Sequence, residues 1–565
     1  MHLVGIVATM RAMRLVRPKR HALISSWAAA MACPLFVQAC VAPRTSGPAE
    51  SLATAPKAQA IELVPTRSGA TAYGQSVNPP LARTEVVDAI QRVVHELGRE
   101  LKRPEVRWDD RLGLVAVDLA RVAPEDGPLD YEVVEFALSH YGIVEPTPHL
   151  FVVWATRAPP EAVAAHIREQ IREMVAEGSY TRLGIGVVER AKERAVIAVA
   201  LQTSAVEVEP VPRRLALSGH AWIKGRVLRP YDKPEVLISR EDGSVSPVGI
   251  ERAKDRFVSE VQCGKEIGKV QVEISATGPE GALVLANFPV WCGVDPPKRF
   301  SFVPAGARVA KVGSAEAEAK LVELINRDRR GAGLAPLKVD AQVAAVARAY
   351  SVEMARTGVV AHVSPESGTA SDRLAKAGIR RPLIEENLAR SSSVESAHQS
   401  LMNSPGHRAN ILSPGVTQVG VGVIGAAAEA GSTDLIVTEV FVRVPAPVDR
   451  ESARSRVLTL LSEHYHTVED RQLAALAQQA AEDVARLGTG EADGVQKVSG
   501  MEAAAQKFRR LRALLVAVAD IDQLTLDNLP KDLNRLRVGI GVGQGSHPKM
   551  GPSTIYLVLL VAEPT

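Results

Sequence analysis

The sequence lacks an excess of either charge: 67 Lys and Arg stand against 64 Asp and Glu, a formal net charge of +3 over 565 residues. It also lacks any Lys/Arg-rich run with interleaved aromatics. Together these absences exclude nucleic acid as a partner. No aspartate and histidine stand in evident partnership with a serine, and the best-placed one, Ser404, precedes a proline; a serine-hydrolase triad is therefore set aside. Cysteine is scarce, with four in the chain: Cys33, Cys40, Cys263 and Cys292. What is there is length, which at roughly one domain per 150 residues gives three to four domains.

The first forty residues stand apart from the rest. Arg11, Arg14, Arg17, Lys19 and Arg20 precede an uncharged, mostly apolar stretch from Ala22 to Ala39, which is the layout of an export signal. It stops at Val37-Gln38-Ala39-Cys40, which resembles a bacterial lipobox, although Gln38 is unusual within that motif. Residues 1–39 are accordingly read as a lipoprotein signal peptide, and Cys40 as the lipidated first residue that would hold the chain to a membrane, at the outer membrane or cell surface. An uncleaved membrane anchor is the alternative, against which Pro34 and the short span count. Cleavage at Cys33 is a weaker one. With Cys33 lost and Cys40 lipidated, Cys263 and Cys292 remain as an even pair, which in an oxidising compartment reads as a disulfide; two buried thiols are the plainer alternative. Residues 40–80, rich in Ala, Pro, Ser, Thr and Gly, read as a flexible tether.

Beyond the tether one pattern recurs. An aspartate is followed three residues on by an aliphatic residue and seven on by an alanine: Asp109, Leu112, Ala116; Asp340, Val343, Ala347; Asp470, Leu473, Ala477. A Gly-aliphatic-Gly then follows at Gly184, Gly420 and Gly539, each leading into a strand-like run. This predicts three copies of one domain, over 81–204, 313–444 and 450–565. Between the first two, over 205–297, Val270, Val272 and Ile274 alternate with polar residues and turn clusters punctuate the runs. That predicts a small antiparallel β-sandwich, immunoglobulin-like by default. A Cys263–Cys292 bridge would stabilise it by ~2–4 kcal/mol.

The chemistry concentrates in the middle copy. The run SPGHRANIL, Ser404 to Leu412, places His407 just after a Pro-Gly break in a helical pattern; His362 lies in AHVSP and Glu386 in EENL. The places corresponding to the two histidines in the outer copies are Tyr131 and Ile171, and Ala492 and Leu526, so any active cleft belongs to the middle copy alone. His140, His149 and His166 in the first copy sit off register and read as ordinary histidines. Glu385 and Glu439 are further carboxylates expected to make the cleft more negative, while Arg408 and Asn410 read as loop anchors.

These motifs in this order, from LVELINRDRRGAGLAPL through AHVSP, SDRLAKAGI, EENL and NSPGHRANIL to VTEVFV, resemble the CAP superfamily, the SCP-like domain of cysteine-rich secretory, antigen 5 and pathogenesis-related proteins. The resemblance covers about residues 315–443. It implies a CAP-type α-β-α sandwich in the middle copy; with the outer two repeats read as degenerate CAP-like copies and the β-sandwich beside them, the expectation is a multidomain α+β protein. It also implies a cleft where His362, Glu386 and His407 converge and the two imidazoles take zinc or another divalent metal. The chain departs from the family pattern at Glu385, at Leu401 and at Ser404, near which eukaryotic members carry a second acidic residue. The first expectation for function is an exported, lipid-anchored binding module at the cell envelope, with an envelope or extracellular protein, cell wall or lipid as partner. The alternatives are a metal-assisted hydrolase of peptide or cell-wall material, with His362 and His407 as ligands and Glu386 as base, and lipid or sterol binding.

Overall fold

The structure, a computed structural model, describes residues 6–9, 60–125, 128–191, 194–304, 314–425, 435–444, 447–463, 465–488, 500–508, 510–518, 521, 524, 535–547 and 551–563. Cys33, Cys40 and the tether up to residue 59 lie outside them, as do Ala492 and Leu526. No described helix is long and apolar enough to cross a membrane.

In the middle unit the strands Lys338–Val339, Gln418–Gly425, Leu435–Val442 and Ile384–Ser391 lie side by side in that order. The first pair runs parallel and the others antiparallel. The central strand Leu435–Val442 is buried on both faces, which requires cover on each. Along it Val437 and Phe441 pack with Leu321, Ile325, Ala397 and Leu401 of the helices Ser314–Gly331 and Val394–Asn403. Ile436, Val440 and Val442 point the other way, toward the helix Ala341–Thr357. The period-2 alternation of the strand thus builds three layers, helix, sheet and helix.

The recurring sequence pattern is one physical device. Asp340 caps the helix Ala341–Thr357, its Oδ1 accepting from the backbone N–H of Gln342 at 3.0 Å and of Val343 at 3.2 Å. The helix then lies so close to the strand that a Cβ on Gly420 would come within 2.3 Å of Ala344 N, and one on Gly422 within 2.3 Å of Arg348 N. The same approach occurs twice more. Asp109 caps Asp110–Val122, whose backbone would meet a Cβ on Gly184 or Gly186 at 2.3 Å. Asp470 caps Arg471–Leu487, and Cβ atoms on Gly539 and Gly541 would meet its backbone at 2.1 and 1.9 Å.

The strand order is also shared. Arg107–Trp108, Arg182–Ala191, Arg194–Gln202 and His149–Thr156 form one sheet, and His466–Glu469, Arg535–His547, Gly551–Glu563 and Arg510–Val518 another, in the sequence seen in the middle unit. To the outer edge of the last, Arg510–Val518, the strand Ile6–Thr9 adds antiparallel; it lies within residues 1–39, the stretch read from the sequence as a signal peptide, and so belongs to the chain before any cleavage at Cys40.

Between the first and middle units two sheets face each other. His220–Val227 and Arg256–Gln262 belong to one; Asp232–Arg240, Gly268–Gly278 and Gly281–Cys292 belong to the other. Ile223, Phe257 and Val261 from the first meet Val236, Val272 and Phe288 from the second in one core. Cys263 and Cys292 are disulfide-bonded, with 5.5 Å between their Cα atoms.

The tether ends earlier than its composition suggests. Residues 60–80, expected within it, are packed instead: Ile61–Leu63 pairs antiparallel with Phe300–Phe302, and Ala72–Tyr73 with Val211–Pro212. Leu63 and Tyr73 are fully buried, and the carboxylate of buried Asp118 accepts from Thr66 N–H at 3.0 Å. Ala- and Thr-rich composition hid two isolated anchor residues whose strand partners, Phe300 and Val211, lie more than a hundred residues away.

Replacing Gly422 by Ala puts a methyl group against helix backbone that has no rotamer to yield. Thermal or urea unfolding of the variant is expected to show the middle unit destabilised by at least roughly 1–3 kcal/mol, whereas Gly425→Ala, which meets nothing within 4 Å, should leave the transition in place.

Candidate functional site

The edge strand Ile384–Ser391 presents adjacent residues to opposite faces of the middle sheet. Glu386 stands on the face of the helix Ala341–Thr357, and Glu385 and Asn387 on the face of the helices Val394–Asn403 and Pro405–Ile411. The loop after Ala341–Thr357 returns to this edge because the Tyr350 hydroxyl donates to the Ala361 carbonyl. That tie sets the neighbouring His362, whose Nδ1 lies 3.0 Å from Glu386 Oε1. The other Glu386 oxygen is ion-paired with buried Arg373, whose guanidinium stacks 3.3 Å over the Tyr350 ring. A carboxylate between an imidazole and a guanidinium orients the ring as a hydrogen-bonded unit.

His407 arrives from the other face. It lies in the short helix Pro405–Ile411, entered through the Ser404-Pro405 turn with proline at its first position. Asn387 Nδ2 donates to the His407 carbonyl at 3.1 Å and to Glu439 Oε2 at 3.1 Å. Asn410 Nδ2 donates to the Glu386 carbonyl at 3.2 Å and to Asn387 Oδ1 at 2.9 Å. Within the ring, Nδ1 lies 2.7 Å from Ser404 Oγ. Burial first, and the charge of the neighbouring His362 second, push the His407 imidazole down to about 4, so it is neutral over the physiological range.

The two extra carboxylates do not add charge to this edge as expected. Glu385 faces away from His362, its Oε1 accepting from Ser413 Oγ at 3.2 Å with Arg329 nearby, because strand neighbours alternate between faces. Glu439 is fully buried mid-strand behind Asn387, and burial raises its carboxyl to about 7. Its Oε1 has no hydrogen-bond partner among the described residues. Asn410 is the anchor its position suggested, and Arg408 donates to the Met402 carbonyl at 3.4 Å. In the first unit, Tyr131 and Ile171 are core residues, His140 is bonded to the Arg67 carbonyl at 3.0 Å, His149 to the Tyr180 hydroxyl at 2.7 Å, and His166 is exposed.

Two participants were not singled out from sequence. Arg373 lay inside the quoted run SDRLAKAGI, where an arginine in a helical segment gives no sign of burial. Glu273 comes from the sandwich strand Gly268–Gly278: its carboxylate pairs with Ser404 Oγ and accepts from Gly406 N–H at 3.2 Å. Beside it the turn following that strand meets the loop of the other histidine, Val363 N–H donating to the Glu280 carbonyl at 3.0 Å. A Cβ on Gly281 would touch His362 Cβ at 3.0 Å. The sandwich is therefore seated over the edge where the two histidines lie.

The residues around the two imidazoles do not supply a third ligand for a resident divalent metal. Glu386, read from the sequence as the base beside the two imidazole ligands, is not free to serve as a third ligand: it faces His362 Nδ1 and the Arg373 cation, and a guanidinium in that position opposes a second cation. Among the described residues no three His, Cys, Asp or Glu side chains are grouped to hold a metal ion.

Residues 322–441 match the model of the cysteine-rich secretory protein family, CAP. Over 116 residues the chain is 39% identical to the uncharacterized protein YkwD of Bacillus subtilis, a match that covers 20% of this chain and 44% of that one. The chain thus spans less than half the length of that relative. Among solved structures, an extracellular protein containing a SCP domain from Bacillus anthracis aligns with 21% identity and a TM-score of 0.22, covering 40% of this chain and 78% of that one. An outer surface protein from Borrelia burgdorferi aligns with 19% identity and a TM-score of 0.22, covering 24% of this chain and 99% of that one.

The buried Glu439 carboxyl gives a signed pH dependence. Its folded pKa of about 7 stands above the ordinary 4.5, so the stability it contributes is whole below 4.5 and is lost as pH rises through 7. Glu439→Gln is expected to remove a loss of at most about 3 kcal/mol between pH 4.5 and 8. Urea titrations of both proteins across that range check it; parallel curves would show that the carboxyl is ionised in the fold at no penalty.

Proposed function

Since residues 322–441 carry a domain of the cysteine-rich secretory protein family, we propose that the chain is an exported protein, held to a membrane through lipid at Cys40, whose assembled domains act as an interaction module at the cell envelope. We read the outer two units as degenerate copies of the middle one and the intervening sheets as an immunoglobulin-like sandwich. The shared strand order and the shared helix-on-glycine contact support the first of these. The observation that carries the functional reading is the seating of the sandwich: the chain's own Glu273 and Glu280 engage the turn of His407 and the loop of His362. That contact joins the sandwich to the middle unit, and the outer units have no histidine pair at the corresponding places that lie within the described residues.

One measurement separates this reading from a hydrolase, and a second tests the anchor. Full-length protein and the His362→Ala/His407→Ala variant are expected to release equal, background amounts of soluble product from labelled peptide and from purified cell wall. Turnover by the wild type that the double variant loses would overturn the binding reading. Cys40→Ser is expected to shift the chain from the membrane fraction to the soluble one; unchanged retention would remove the lipid anchor.

A further inference from the structure

Glu273 is 2% exposed, yet the sandwich strand that carries it gives its carboxylate none of the hydrogen bonds described above. Both oxygens are satisfied by the middle unit, one by Ser404 Oγ and the other by Gly406 N–H at 3.2 Å. A buried carboxylate needs such partners, and here a neighbouring domain supplies them. Ser404 Oγ in turn stands 2.7 Å from His407 Nδ1.

A serine hydroxyl has one hydrogen to give. An ionised Glu273 only accepts, so the Ser404 hydrogen goes to it. Ser404 Oγ can then meet His407 Nδ1 only by accepting, which requires that Nδ1 carry the ring hydrogen. We propose that Glu273, supplied by the sandwich, is a positioning residue that acts through Ser404 to hold His407 as the Nδ1–H tautomer, which leaves Nε2 as the ring's acceptor. Glu386 treats His362 alike and directly, its Oε1 lying 3.0 Å from Nδ1. Each imidazole is thus held from behind by a carboxylate, but the two carboxylates come from different domains. Such backing is how proteins fix which imidazole nitrogen faces a ligand. The inference goes beyond the envelope reading and stands whether or not the chain is exported.

The test uses the full chain labelled with nitrogen-15 at histidine. Burial raises the Glu273 carboxyl to about 7, so spectra are recorded at pH 8.5, where it is ionised. Long-range proton–nitrogen correlation distinguishes a protonated from a bare ring nitrogen, and the His407 signals are those lost in His407→Gln. The wild type is expected to show a protonated Nδ1 and a bare Nε2. In Glu273→Gln the amide oxygen takes the Gly406 N–H and the amide nitrogen donates to Ser404 Oγ. The serine hydrogen then turns to His407 Nδ1 and the pattern inverts at His407 while His362 keeps its own. A wild-type ring protonated at Nε2, or a glutamine variant with the wild-type pattern, would overturn the proposal. If the variant fails to fold, as shown by loss of the His362 signals, the wild-type spectrum decides alone.

Discussion

The middle unit depends on a close approach of helix to strand that only glycine permits. Gly420 and Gly422 let the backbone of Ala341–Thr357 lie directly on the strand Gln418–Gly425, and the site follows from that seat. Tyr350 is fixed farther along the same helix. Its hydroxyl sets Ala361, and its ring receives Arg373. Those two contacts place His362 and the cation that pairs with Glu386, so the geometry of the imidazole is a consequence of two missing methyl groups on a strand more than fifty residues downstream.

Three buried carboxylates lie within this region, and their surroundings separate their roles. Glu386 has a guanidinium against one oxygen and an imidazole against the other. Glu273 and Glu439 have no cation among the hydrogen-bond partners that hold them, only hydroxyl, backbone amide or side-chain amide donors. Desolvation therefore dominates both and raises both to about 7. The first is a clamp between two nitrogen groups, one of them a permanent cation. The other two sit near the point where a single proton changes which atom of a hydrogen-bonded chain is the donor.

Legibility in the sequence followed the range of the interaction. The Asp, aliphatic and Ala spacing at Asp340, Val343 and Ala347 and the Gly-X-Gly pairs are local or periodic, and each was read directly. The Cys263–Cys292 pair was legible by elimination, since so few cysteines remained. What was hidden depended on distant partners. Leu63 and Tyr73 looked like tether because Phe302 and Val211 are far off in sequence. Glu385 was misplaced because a strand's facing is settled by its register, not by its composition. Glu273 read as one of the polar residues alternating outward from a sandwich strand, and nothing near it in sequence says that outward meant into another domain's turn.

That last case bears on how the chain is organised. The segment from Ser393 to Gly406 touches both of its neighbours: Tyr131 N–H of the first unit donates to Ser396 Oγ at 3.3 Å, Asn403 Nδ2 donates to the Tyr131 hydroxyl at 2.9 Å, and Asn287 of the sandwich donates to the Asn403 carbonyl at 3.3 Å. Asn403 alone therefore joins three domains, one residue before the serine that meets Glu273. The turn carrying His407 is thus itself the junction of the three domains.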